Sequence, residues 1–154
     1  GLGDVYKRQK PTDAVALYNR YIGDWGGTST SYRFEAVKNG KVVKVVRKEP
    51  VTSMHLSAEP DHQNLTERHT YEAAEIRIRA LDQNDNIVNF YQEPVVLSAE
   101  GPIAIIGPKI ISLQGGMGGT YVRTTGEEGI GILKIRAAQM EEQRIQFEVK
   151  NDRK

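Results

Sequence analysis

Several residue groups in this 154-residue chain have types and spacings that could do chemistry. Asp82, Asn84 and Asn86 stand at the first, third and fifth ligand positions of a calcium loop, with Glu93 at the twelfth. Ile87 replaces the glycine such a loop needs at position six, Phe90 replaces a polar group at position nine, and the flanks alternate like strands. A turn of residues that tolerate left-handed backbone accounts for the same pattern. Gly115-Gly-Met-Gly-Gly119 offers a flexible backbone to a phosphate, but no Gly-Lys-Ser/Thr ending or helix follows, so it reads as an inter-strand loop. His55, His62 and His69 recur every seven residues. Neither an i, i+4 pair nor an HExxH arrangement is present, and a surface role is expected of them. Trp25, inside Gly23-Asp-Trp-Gly-Gly27, could stack on a sugar ring or pack at a domain junction. No serine sits in a nucleophile elbow. Asn64-Leu65-Thr66 is formally a glycosylation sequon. These residues supply no catalytic set, no metal set and no cofactor motif.

The elements that position these residues are mostly strands. Leu17, Tyr18, Tyr21 and Ile22 fall at helical spacing after Thr12-Asp13, which predicts a short helix over 14–22, with Thr12 or Asp13 as its cap. Ser31–Val37 alternates, with Tyr32, Phe34 and Ala36 on one face, and predicts a half-buried strand. Asn39-Gly40 then joins it to Val42–Val46, the strongest short hairpin signal. Pro50 closes this unit. Beyond it, alternating apolar residues mark strands at Met54–Ala58, Glu75–Asp82, Val95–Ala99, Ile103–Ile106, Ile110–Leu113, Thr120–Thr124, Gly131–Ala137 and Ile145–Val149. Residues 60–70 are polar and read as irregular. This density of short strands and glycine turns predicts an all-β, immunoglobulin-like β-sandwich over 51–150, preceded at 10–50 by a partial, β-rich domain with one short helix.

Composition narrows the partners. Lysine and arginine total 21 against 20 acids, a net charge of +1 with the signs interspersed, which is no nucleic-acid footprint. With zero cysteines, disulfides and thiolate metal sites are excluded and the compartment stays open. No apolar run approaches the length of a membrane span. Asp4–Gln9, DVYKRQ, matches the translation of a transposon end used as a sequencing adaptor, so residues 1–9 are expected to be an adaptor-derived tail.

Residues 73–137 contain short glycine-punctuated blocks, Ile78–Asn86, Pro94–Pro108 and Gly115–Gly129. They resemble the last immunoglobulin-like module of bacterial β-galactosidases of glycoside hydrolase family 2. Tyr18–Gly27, YNRYIGDWGG, and Ser31–Gly40, SYRFEAVKNG, are similar to the entry into the penultimate module and its hairpin. The same blocks are also similar to invasin-type immunoglobulin-like repeats of bacterial adhesins. The first resemblance implies a bacterial source, partners among upstream domains of the same polypeptide, a homo-oligomer in the parent enzyme, and catalysis by two glutamates on a separate barrel. Neither glutamate motif has a match here. The implied role is therefore a non-catalytic structural or accessory region, with a stand-alone carbohydrate-binding or adhesion module as the alternative.

Overall fold

The structure is a computed structural model and describes residues 11–21 and 29–152. The chain separates into two compact units, Gly1–Pro50 and Val51–Lys154.

In the first unit, helix α1 runs from Pro11 to Tyr21. It starts ahead of the expected cap, because proline's fixed φ and missing N–H suit the first helical turn; Thr12 and Asp13 lie inside the helix instead. Strands β1 (Tyr32–Lys38) and β2 (Lys41–Lys48) form a two-stranded antiparallel sheet. Asn39 and Gly40 join them with φ of 52° and 73°, the pair of positive values a type I′ turn requires. The register slips between Ala36 and Val37. The expected half-burial of β1 is not found. Phe34 is 57% exposed, Val37 61% and Val43 62%, because among the described residues each strand has only the other as a sheet neighbour. Tyr32 and Phe34 stack with ring centroids 6.3 Å apart on the hairpin surface.

The second unit is a two-sheet sandwich. Strands β3 (Met54–Pro60), β5 (Ala73–Asp82), β9 (Met117–Thr124) and β7 (Ile103–Ile106) make a four-stranded sheet in the order β3-β5-β9-β7. Strands β4 (Asn64–Glu67), β11 (Gln143–Asn151), β10 (Gly129–Ala137), β6 (Pro94–Glu100) and β8 (Ile110–Ser112) make the facing five-stranded sheet in the order β4-β11-β10-β6-β8. Splitting the entering segment between both sheets, with a long-range antiparallel core in each, is an immunoglobulin-like arrangement. Period-2 alternation drives the packing: Ile76, Ile78 and Ala80 of β5 face Leu97, Leu133, Ile135 and Phe147, all at or below 1% exposure.

One strand departs from expectation. β4 lies within the segment read as irregular and pairs in parallel with β11, from Asn64 opposite Glu148 to Glu67 opposite Asn151. It carries a single apolar residue, Leu65, so period-2 counting has nothing to register. Leu65 and Glu67 are nonetheless both 1% exposed. The Glu67 carboxylate accepts the Gly126 N–H at 2.8 Å, a charge-assisted bond that offsets part of its burial cost.

Candidate functional site

The groups that invited a chemical reading are mostly spent on the fold. Asp82, 5% exposed, ends β5 and accepts the N–H groups of Asn84 at 2.8 Å and Asn86 at 2.9 Å, along with the Asn86 amide. Asp85 adopts φ of 60° at the next corner. The carboxylate thus organises an Asx turn, with its oxygens directed to protein N–H groups.

Gly115 and Gly116, at φ of 59° and 75°, form a two-residue hairpin turn closed by Gln114 N–H to Met117 O at 2.8 Å. The Gly116 N–H donates to Tyr91 O at 2.9 Å and its carbonyl accepts Ala80 N–H at 2.8 Å. This backbone stitches β5 to the loop after it instead of cradling an anion. Gly118 leaves the space that the Leu113 side chain fills.

The histidines go separate ways. His55 Nε2 lies 3.3 Å from Asp85. His62 sits between Asp61, 2.9 Å from Nδ1, and Glu72, 3.4 Å from Nε2, the second contact lacking hydrogen-bond alignment. His69 lines an open cleft of about 510 Å³ with Arg68, Tyr71 and Glu72. The Arg123 guanidinium stands 5.5 Å from the centre of the Tyr71 ring. Among the described residues no three or more His, Asp or Glu side chains are grouped to hold a metal ion.

Asp61 is a clamp between strands. Burial raises the pKa of its carboxyl, but this is outweighed by the N–H bonds from His62 and Glu75 and by the His62 imidazole, so it lies below the ordinary value. The acids Glu75 and Glu100 pair with neighbouring cations, Glu75 with Arg77 at 3.4 Å and Glu100 with Lys134 across the β6–β10 ladder. Glu128 accepts the Asn151 N–H at 3.0 Å. Trp25 lies outside the described residues.

A second cleft, of about 440 Å³, is formed by Met54, Phe90, Tyr91, Gln92, Glu93 and the 138–139 turn. Sequence reasoning missed it because the two turns are far apart in the chain and meet only through the strand order. Phe90 carried the one available signal, an aromatic in a polar turn, and it is 69% exposed.

No family model matches the sequence. The chain is 34% identical over 143 residues to a β-galactosidase of Rhizobium radiobacter, covering 88% of this chain and 97% of that relative. It is 34% identical over 99 residues to a β-galactosidase of Rhizobium meliloti, covering 63% of this chain and only 13% of that protein. Among solved structures, a β-glycosidase from Bacteroides vulgatus superposes with a TM-score of 0.66 at 16% identity, over 84% of this chain and 19% of its own. A glycosyl hydrolase family 2 member from Bacteroides cellulosilyticus gives 0.64 at 15% identity, over 78% and 17%. The last two likenesses bear on the fold.

Proposed function

Because the chain belongs to the β-galactosidase family within glycoside hydrolase family 2, we propose that it is a non-catalytic accessory region of a larger glycosidase polypeptide, an immunoglobulin-like sandwich with a partial module that docks on the enzyme's other domains. The observation that carries this reading is the hairpin β1–β2. Phe34 and Val37 at 57% and 61% exposure, with Val43 at 62%, are β-sheet residues for which the described residues provide no covering layer. An isolated hairpin is marginal in water, so such a surface calls for further strands or a neighbouring domain. The chain spans 97% of the Rhizobium radiobacter relative, but 13% of the Rhizobium meliloti one and 17–19% of the solved structures, and these smaller fractions support a part of a larger protein. The glutamates Glu75, Glu100 and Glu128 support it as well, since each is engaged with a neighbour in or beside the sheets. A retaining site needs two carboxyl groups about 5–5.5 Å apart across a substrate. The test is incubation of the purified chain with a chromogenic galactoside. No turnover is expected; turnover abolished by a single Glu→Gln change in this chain overturns the reading.

A further inference from the structure

The hairpin β1–β2 has two faces of different electrical character. Residues opposite one another in its register share a face. Tyr32, Phe34 and Ala36 therefore lie with Lys48, Val46 and Lys44. Arg33 and Glu35 lie on the other face with Arg47 and Val45. Over 32–48 the basic residues are Arg33, Lys38, Lys41, Lys44, Arg47 and Lys48, and Glu35 is the one acid, in a chain whose net charge is only +1. That acid lies on the second face and pairs with Arg33 at 2.6 Å. The aromatic face of these strands carries no acid. Lys44 and Lys48 are exposed on it, and neither makes an ion pair among the described residues. Lys38 also stands directly opposite Lys41, a like-charge pairing that costs stability.

The apolar side chains of this face set one requirement and the lysines another. Phe34, 57% exposed, and the half-buried Tyr32 and Val46 need an apolar cover. Drying the face also strips water from the lysines beside it, and a desolvated ammonium without a counter-charge is costly. A partner that covers Phe34 must therefore bring carboxylates to Lys44 and Lys48. Four residues separate the two lysines along a regular stretch of strand, about 13 Å at the usual rise. Nucleic acid fits less well. Tyr32 and Phe34 stack on each other with ring planes 22° apart, so a base would compete with that stack, and phosphates give Ala36 and Val46 no apolar cover. An anionic membrane supplies apolar cover but no fixed spacing of charge. We infer that the aromatic face of this hairpin docks on an acidic protein surface, an apolar centre flanked by two carboxylates about 13 Å apart that meet Lys44 and Lys48. The inference rests on the accessory reading and names the chemistry of the docking partner.

The experiment is titration of the isotope-labelled full chain with three blocked heptapeptides, read by amide NMR. One is Thr-Glu-Thr-Leu-Thr-Glu-Thr, and the others replace both glutamates by glutamine or by lysine. In an extended peptide the two charges and the leucine share a face, at the spacing of Lys44 and Lys48. The acidic peptide should give saturable shifts at Tyr32–Ala36 and Lys44–Lys48 with a millimolar Kd. The glutamine peptide should bind about two- to thirtyfold more weakly, the value of two rim ion pairs. The lysine peptide should leave these amides unmoved. Lys44→Glu with Lys48→Glu should reverse the preference, and Lys44→Gln with Lys48→Gln should erase it; both positions are exposed, and the amide spectrum shows that each variant keeps its strands. No saturation by the acidic peptide overturns the inference, as does equal binding of the lysine peptide or a preference unchanged by the charge reversal. A tighter response to oligothymidylate, or to vesicles containing phosphatidylglycerol, overturns it in favour of a phosphate-bearing partner. Equal binding of all three peptides leaves the accessory reading standing, whereas galactoside turnover abolished by one Glu→Gln change sinks that reading whatever the peptides do.

Discussion

Two adjacent glycines offer a sharp test of what the glycine-rich loop does. Gly115 and Gly116 both have positive φ, 59° and 75°. Substituting alanine at either forces an L side chain into the left-handed region, costing about 1–2 kcal/mol. The loss of unfolded-chain freedom returns roughly 0.4–1 kcal/mol of that. Gly115→Ala should therefore cost roughly 0–1.6 kcal/mol by these values, since its Cβ would lie 3.8 Å from Asn89 O, an ordinary contact. Gly116→Ala is different. Its Cβ would sit on the Val88 carbonyl, 3.0 Å from the carbon and closer still to the oxygen, and 3.1 Å from Ile87 Cγ2. Backbone cannot yield like a flexible side chain, and the shift pulls on the Gly116–Tyr91 and Ala80–Gly116 hydrogen bonds, 2.9 and 2.8 Å long. Weakening a buried backbone bond adds about 1–3 kcal/mol, so Gly116→Ala should cost roughly 1–3 kcal/mol more than Gly115→Ala. Urea unfolding followed by tyrosine fluorescence and far-UV circular dichroism reads both variants. A clearly larger midpoint drop for Gly116→Ala is expected. Equal drops would refute the claim that this turn is stitched to the Val88–Tyr91 loop.

Other perturbations probe the turn, the ion pairs and the first unit. Asp82→Ala removes the acceptor of the Asn84 and Asn86 N–H bonds and should destabilise by about 1–3 kcal/mol; calcium and chelator should give the wild type one melting midpoint, and a calcium-dependent rise of several degrees would show that the Asx-turn account is incomplete. Glu100 titrates below its ordinary value because of the Lys134 hydrogen bond and charge, and Asp61 also titrates low. Both folded values are depressed, so their contribution is present above the unfolded pKa and is lost as pH falls through the folded one; carboxyl carbon NMR should show both midpoints below free-carboxylate values, and ordinary midpoints would contradict the assigned bonds. Amide exchange should be much faster in Tyr32–Val37 than in Ile76–Ala80, whose apolar side chains are fully buried, and matching protection would show that the hairpin has found a complete layer.

The sandwich was legible because its code is redundant. In β5, β6, β10 and β11 large apolar residues recur at every second position, and the observed core follows that period: Ile76, Ile78, Val95, Leu97, Leu133, Ile135 and Phe147 are all at or below 1% exposure. The glycine doublet and Asn39-Gly40 were legible as turns because positive φ is a backbone demand that few residues meet. β4 was not legible. It is an edge strand whose parallel pairing with β11 satisfies backbone groups and needs little from its own side chains. Glu67, buried at 1%, even runs against the rule that charges stay outside, and the Gly126 N–H, brought near by the 124–128 turn, helps to make that tolerable. The Phe90 cleft escaped for a related reason: its parts are two turns, and turns carry local conformation in their sequence but no record of their spatial neighbours.

The first unit shows the opposite relation between pattern and structure. Tyr32, Phe34 and Ala36 alternate with Arg33 and Glu35 as cleanly as any strand of the sandwich, and the Arg33–Glu35 pair, 2.6 Å apart, supplies the polar side. Alternation of this kind states what a strand requires, one dry face and one wet face. The described residues provide the wet face and leave the dry one open, with Phe34 57% exposed. A solvated Phe34 has no use for the alternation that placed it there, whereas a docked one does. Burying about half of such a side chain is worth roughly 1 kcal/mol, and Tyr32, Val37, Val42 and Val46 would add comparable amounts. Polar replacement at Phe34 should therefore leave the isolated chain's stability within about 0.5 kcal/mol. In a longer glycosidase polypeptide of the kind proposed it should cost more than about 1 kcal/mol in thermal inactivation. Equal effects in the two settings would remove the argument that this face is a docking surface.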